Sequence, residues 1–125
     1  MGNKYRSSFE ITLNGTEYTL RPSFEAMMHF EDKSGMDVFE ALQSIANKKM
    51  VGSRIVSAAI WAGIRGEFDF QGQSINAPSF SKIGSECQAH GFHNCLSFVM
   101  DFLNKSIASD EDIKKYEEAG EPLEK

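Results

Sequence analysis

Two short alternating runs on either side of Asn14-Gly15 constrain the fold of this chain more than any other feature. Phe9, Ile11 and Leu13 share one face of the first run, with Ser8, Glu10 and Thr12 on the other. In the second run, residues 16–21, Tyr18 and Leu20 share one side. A period of two is the signature of a half-buried strand. Asn-Gly suits the type I′ turn, in which both central residues need positive φ. The two runs therefore predict a β-hairpin. Two strands alone are marginal in water, so their apolar face must lie on something else.

The remainder of the chain predicts helices for it to lie on. Pro22-Ser23 stops the second strand, and Ser23 suits an N-cap. A first helix, about 24–33, places Phe24, Met27, Met28 and Glu31 at i, i+3, i+4, i+7 and ends at Ser34-Gly35. Asp37 with Glu40 three residues on resembles a capping box. The second helix then carries Val38, Phe39, Leu42, Ile45 and Ala46 on one stripe, with Lys48 and Lys49 in its last turn, where positive charge suits the helix dipole. A third helix, about 53–64, is apolar nearly all round, which predicts a central, buried position. Its Ala58, Ala59, Ala62 and Gly63 would permit close helix packing. Residues 66–78 hold Gly66, Gly72, Asn76 and Pro78 and read as a loop, within which Phe68 and Phe70 alternate as in a short strand. Ser79 caps a fourth helix, about 80–89, closed by Gly91. A fifth, about 92–107, has the stripe Phe92, Cys95, Leu96, Val99, Phe102, Leu103 and Ile107. The expected fold is α+β and mainly α: an N-terminal β-hairpin packed on a bundle of about five helices. Residues 1–109 are expected to form one domain, and 110–125 an acidic, partly disordered tail.

A length of 125 residues suits one domain and allows a core that needs no disulfide or metal. The net charge of −5 is uneven: residues 110–125 hold seven acids and three bases, which leaves the body close to neutral. Phosphate recognition needs concentrated positive charge, so neither nucleic acid nor an anionic membrane is an expected partner. No apolar run approaches the roughly 20 residues of a membrane span. Residues 1–6 are polar and no apolar signal segment follows. These features predict a cytoplasmic protein with Cys87 and Cys95 as reduced thiols.

Cys87, His90, His93 and Cys95 fall within nine residues. Structural zinc sites pair ligands as C-x2–4-C and H-x3–5-H, a spacing absent here. Cys95 lies on the apolar stripe of the fifth helix, where a thiol acts as a small hydrophobe. A nucleophilic thiol would need a depressed pKa and access to solvent. Neither a metal site nor a catalytic residue is therefore expected. Glu25, Glu31, Asp32, Asp37 and Glu40 form an acidic surface on the first two helices, read as a solvated face; His29 reads as a partly exposed histidine. No phosphate-binding glycine motif occurs.

Residues 14–26, continued by Met27, Phe30, Glu31, Gly35 and residues 38–42, resemble the N-terminal signature of the tail assembly chaperones of long-tailed phages and gene transfer agents, sometimes labelled tail tube proteins. The resemblance covers about residues 9–65 and rests on turn, cap and core positions. It implies a non-enzymatic protein without cofactors that acts in the bacterial host cell. Such a chaperone coats the tape measure protein, recruits tail tube protein, and leaves before the virion is complete; many members also have a longer, frameshifted form. Self-association and an exposed apolar patch are expected, with Met27, Met28, Phe39, Phe68 and Phe70 as the partner-binding set. The alternative is a structural tail tube or completion component retained in the particle, and presence in purified virions separates the two.

Overall fold

Strands β1 (Phe9–Leu13) and β2 (Thr16–Leu20) pair antiparallel in the computed structural model, which describes residues 8–47, 52–109 and 111–112. Asn14 at φ 51° and Gly15 at φ 84° make the turn with both central residues left-handed, as the dipeptide predicts. Phe9 faces Leu20 and Ile11 faces Tyr18, so the apolar side chains of both strands share one side of the hairpin. Ile11, Leu13 and Leu20 are buried there.

Pro22 and Ser23 are buried at the corner where β2 gives way to α1 (Phe24–Ser34). Ser23 is the N-cap, its hydroxyl accepting the Ala26 N–H at 3.0 Å. Gly35, left-handed at φ 73°, closes the helix by donating its N–H to the Glu31 carbonyl. Asp37 then caps α2 (Val38–Ala46) by accepting from the Phe39 N–H at 2.8 Å, while Glu31 reaches across to accept from Val38 N–H at 3.1 Å. The expected last-turn positions of Lys48 and Lys49 lie outside the described residues.

Helix α3 (Ser53–Phe70) is the buried centre, touching α1, α4, α5 and β2. It runs past the predicted end at residue 64, and residues 66–70, expected to be loop or strand, are helical. The reason lies in a neighbour distant in sequence. A Cβ on Gly66 would stand 2.5 Å from the Arg21 carbonyl oxygen, and one on Gly63 2.7 Å from Leu20 Cγ. The Arg21 N–H also donates to the Gly63 carbonyl at 2.9 Å. Both glycines let the β2–α1 corner sit directly on α3; a helical glycine costs about 1 kcal/mol relative to alanine, and this packing offsets it.

The same approach sets the rotation of α1. Ala26 and Phe30 are its buried residues, in place of the predicted stripe of Phe24, Met27, Met28 and Glu31; the Ala26 Cβ lies over Gly66. On α2, Val38 and Ala41 are buried and Leu42 and Ile45 pack half-buried against the core, whereas Phe39 and Ala46 turn outward against expectation.

A 3-10 turn (Ser74–Asn76) leads to α4 (Phe80–His90), capped by the Ser79 hydroxyl, which accepts the Lys82 N–H at 3.1 Å. A second 3-10 turn (His93–Cys95) precedes α5 (Leu96–Ile107), so the fifth helix begins at Leu96 rather than at residue 92. Val99, Phe102 and Leu103 are its buried residues, and the Ser106 hydroxyl is satisfied by the Phe102 carbonyl at 2.7 Å. The architecture is the mainly helical α+β arrangement expected from the sequence, five helices with an N-terminal antiparallel hairpin. The expected tail lies outside the described residues except for Glu111 and Asp112, both exposed and helical. No helix among the described residues is long and apolar enough to cross a membrane.

Candidate interaction surface

The partner-binding set predicted from the sequence divides in two. Met27 and Phe68 are half-buried and pack against the core. Phe39 and Phe70 are outward, 64% and 44% exposed, with Met28 half-buried on α1. The five residues therefore do not form one patch: Phe39 stands on α2 and Phe70 at the end of α3. Phe68 and Phe70 are separated because two residues along a helix turn the side chain by more than half a circle.

Two exposed apolar residues escaped sequence reasoning: Phe24, 65% exposed, and Ile75, 93% exposed. Phe24 looks inward by helical spacing, but Ala26 and Phe30 occupy the inner face. Its place directly after a serine N-cap, at the first helical position, was the available signal. Ile75 sits in the 3-10 turn after α3 with nothing apolar at helical spacing beside it.

Around Phe70 the chemistry is polar and closely knit. Arg21 Nε donates to Glu67 Oε1 at 2.8 Å, and Gln71 Nε2 donates to Glu67 Oε2 at 2.5 Å. The Arg21 guanidinium lies over the Phe70 ring, 3.7 Å from its centre. A flat cation on an aromatic face of this kind is attracted by the ring quadrupole. The buried Glu67 carboxylate is thus paired and hydrogen-bonded, as a charge in that position must be.

One turn on, Asp69 gathers His29 Nε2 at 3.0 Å, Arg65 Nε at 3.0 Å and the Ser74 hydroxyl. Burial pushes the Asp69 pKa up, but the hydrogen bonds from Ser74, His29 and Arg65 outweigh it and hold the group below its ordinary value. His29 also meets the Trp61 ring edge-on, with centroids 5.7 Å apart. This network ties α1 to α3 and to the turn after it.

The four residues of the Cys/His cluster take separate roles. Cys87 and Cys95 are buried and share a hydrogen bond. Burial, reinforced by the neighbouring Cys95, pushes the Cys87 thiol up to about 12, and burial also raises Cys95. Such thiols lack the thiolate character that nucleophilic attack requires. His90 turns toward the hairpin instead, its Nδ1 accepting the Asn14 N–H at 2.9 Å, and His93 is exposed. Among the described residues no three His, Cys, Asp or Glu side chains gather as a metal site would require.

The acidic surface expected on α1 and α2 is present. Glu25, Asp32, Asp37 and Glu40 are exposed and Glu31 is half-buried. Lys33, the one base among residues 24–47, is drawn away: its Nζ lies 5.2 Å from the centres of both the Trp61 and Phe80 rings.

Comparison of the chain with protein-family models, with curated proteins and with solved structures returns no match.

Proposed function

We propose that this chain is a non-enzymatic tail assembly chaperone, which binds the tape measure protein and helps recruit tail tube subunits during phage or prophage tail morphogenesis. The reading rests on the resemblance over residues 9–65. The observation that supports it best is the outward placement of Phe24 and Phe39 on a helical scaffold whose interior is otherwise closed. Large aromatic side chains held in solvent by folded helices are the usual anchors of a protein interface. A long helical partner presents apolar side chains at i, i+3, i+4 and i+7, which such anchors can grip. Many weak copies on one partner gain through effective concentration, so each site needs little affinity of its own.

Co-expression with the tape measure protein of the same tail gene cluster tests the reading. The expected result is a soluble tape measure protein that co-purifies with several copies of this chain. A tape measure protein that still aggregates, with none of this chain bound, would refute it. Absence of the chain from purified virions is expected of the chaperone; its presence there would favour a retained tail component.

A further inference from the structure

The charge of the described helices is concentrated in one place. Over residues 24–47, Glu25, Glu31, Asp32, Asp37 and Glu40 stand against Lys33 alone. Over residues 52–70, Arg54 and Arg65 balance Glu67 and Asp69, and over residues 71–109 Lys82 and Lys105 balance Glu86 and Asp101. The α1–α2 pair therefore carries the negative field of the folded body. Two of its acids serve the fold, Glu31 and Asp37 both accepting backbone N–H groups at the start of α2. Glu25, Asp32 and Glu40 make no ion pair among the described residues. Lys33, the base that could neutralise them, is held against Trp61 and Phe80. Lys48 and Lys49 follow the far end of α2 in sequence, away from the Asp37 end.

The acids surround apolar surface. Phe24 and Phe39, each about two-thirds exposed, mark the beginning of α1 and the beginning of α2, and Met28 lies one turn on from Phe24. The Glu31–Val38 hydrogen bond holds the two helices together at that junction. The result is an aromatic and thioether surface rimmed by carboxylates, on elements fixed by their own caps.

We propose that the outward face of α1 and α2 docks a basic amphipathic helix, whose apolar stripe covers Phe24, Met28 and Phe39 and whose lysine or arginine flanks meet Glu25, Asp32 and Glu40. For the identity of the partner as the tape measure protein, the inference rests on the chaperone reading. Charge selects this occupant over two nearer ones. The segment 110–125, with seven acids and three bases, would be repelled from the face. A second copy placed face to face would set the same carboxylates against themselves, because a two-fold contact is self-complementary only in shape. A basic helix gains both the apolar burial and the charge pairing, and its association should weaken with salt.

The test uses the full chain and two synthetic helices with the same leucine stripe, one flanked by lysine and the other by glutamate. Binding is read by fluorescence anisotropy at low and high salt. The lysine helix is expected to bind at least about tenfold tighter than the glutamate helix, with the difference shrinking as the Debye length falls from about 10 Å at 0.1 M salt to about 3 Å at 1 M. Two variants assign the face: Phe24→Ser with Phe39→Ser, and Glu25→Gln with Asp32→Asn and Glu40→Gln. Neither touches the caps Ser23 and Asp37 or the core, and an unchanged circular dichroism spectrum and Tm confirm folding. Each is expected to lose about tenfold or more in affinity for the lysine helix. Equal binding of the two helices, no binding of either, or wild-type affinity in either variant overturns the inference. Retention of the tape measure protein by both variants overturns it too while leaving the chaperone reading in place. A wild-type chain that fails to hold the tape measure protein defeats that reading, and the lysine helix still decides the face.

Discussion

Helix α1 has two sides built on opposite terms. Its inner side, Ala26 and Phe30, is buried against α3 through a contact so close that only glycine fits at position 66. Its outer side, Phe24, Glu25, Met28 and Asp32, is left to solvent. The inner side is small, apolar and tightly complementary; the outer side mixes large apolar groups with acids. A helix that needed only to be stable would put its phenylalanines inside and its small residues out. Here Ala26 is inside and Phe24 outside, and the difference marks the outer side as one shaped by something other than folding.

Substitutions can break or sharpen this contrast. The largest effect belongs to Phe30→Ala, which removes a fully buried ring and should cost about 3–5 kcal/mol in chemical denaturation. Gly66→Ala comes next: its methyl would press on the Arg21 carbonyl, a backbone atom that can move only with the whole corner. A loss of about 1–3 kcal/mol is expected. Ser23→Ala removes the cap that satisfies Ala26 N–H and should cost about 1 kcal/mol.

Asp69→Asn tests the polar seam between the two helices. A carboxylate whose folded pKa lies below its ordinary 3.8 stabilises the fold above that value, and the contribution is lost as pH falls through the lower, folded pKa. The asparagine variant should be less stable at neutral pH and should lose part of the acid-limb slope below about pH 4, as measured by Tm against pH. The smallest effect is expected outside: Phe39→Ser should change stability by less than about 0.5 kcal/mol, although the side chain is large. A substantial loss there would mean that the outer face is part of the core after all, and the contrast would collapse.

Much of the architecture could be read from local chemistry. The hairpin follows from the Asn14-Gly15 turn and the alternation on either side of it. The starts of α1, α2 and α4 follow from Ser23, Asp37 and Ser79, whose side chains accept backbone N–H groups as caps do. What local reading missed depends on contacts across the chain. Gly66 reads as a helix breaker until the Arg21 carbonyl is placed against it, after which the missing side chain is the reason the helix can continue. The inner stripe of α1 was misassigned for the same cause, since the close approach favours alanine over the bulkier residues that periodicity marks as core. Of the candidate surface, the acids were legible as a solvated face and Phe39 was named, but it was also placed on a buried stripe. Phe24 was missed because its spacing was indistinguishable from that of a core residue.

The hydrogen bond between Asn14 and His90 spans 76 positions of the chain, and Glu86 holds the same asparagine side chain at 3.3 Å. Its consequence is one of timing. During synthesis the hairpin leaves the ribosome before Gly63 and Gly66, the residues on which its corner sits, and long before the helix that grips its turn. Synthesis at about 5–20 residues per second leaves Ile11, Leu13 and Leu20 without their covering helices for several seconds. The hairpin is thus early in sequence and late in consolidation, and an open pair of strand edges during that interval is the point at which a nascent chain of this design is most exposed to misassociation.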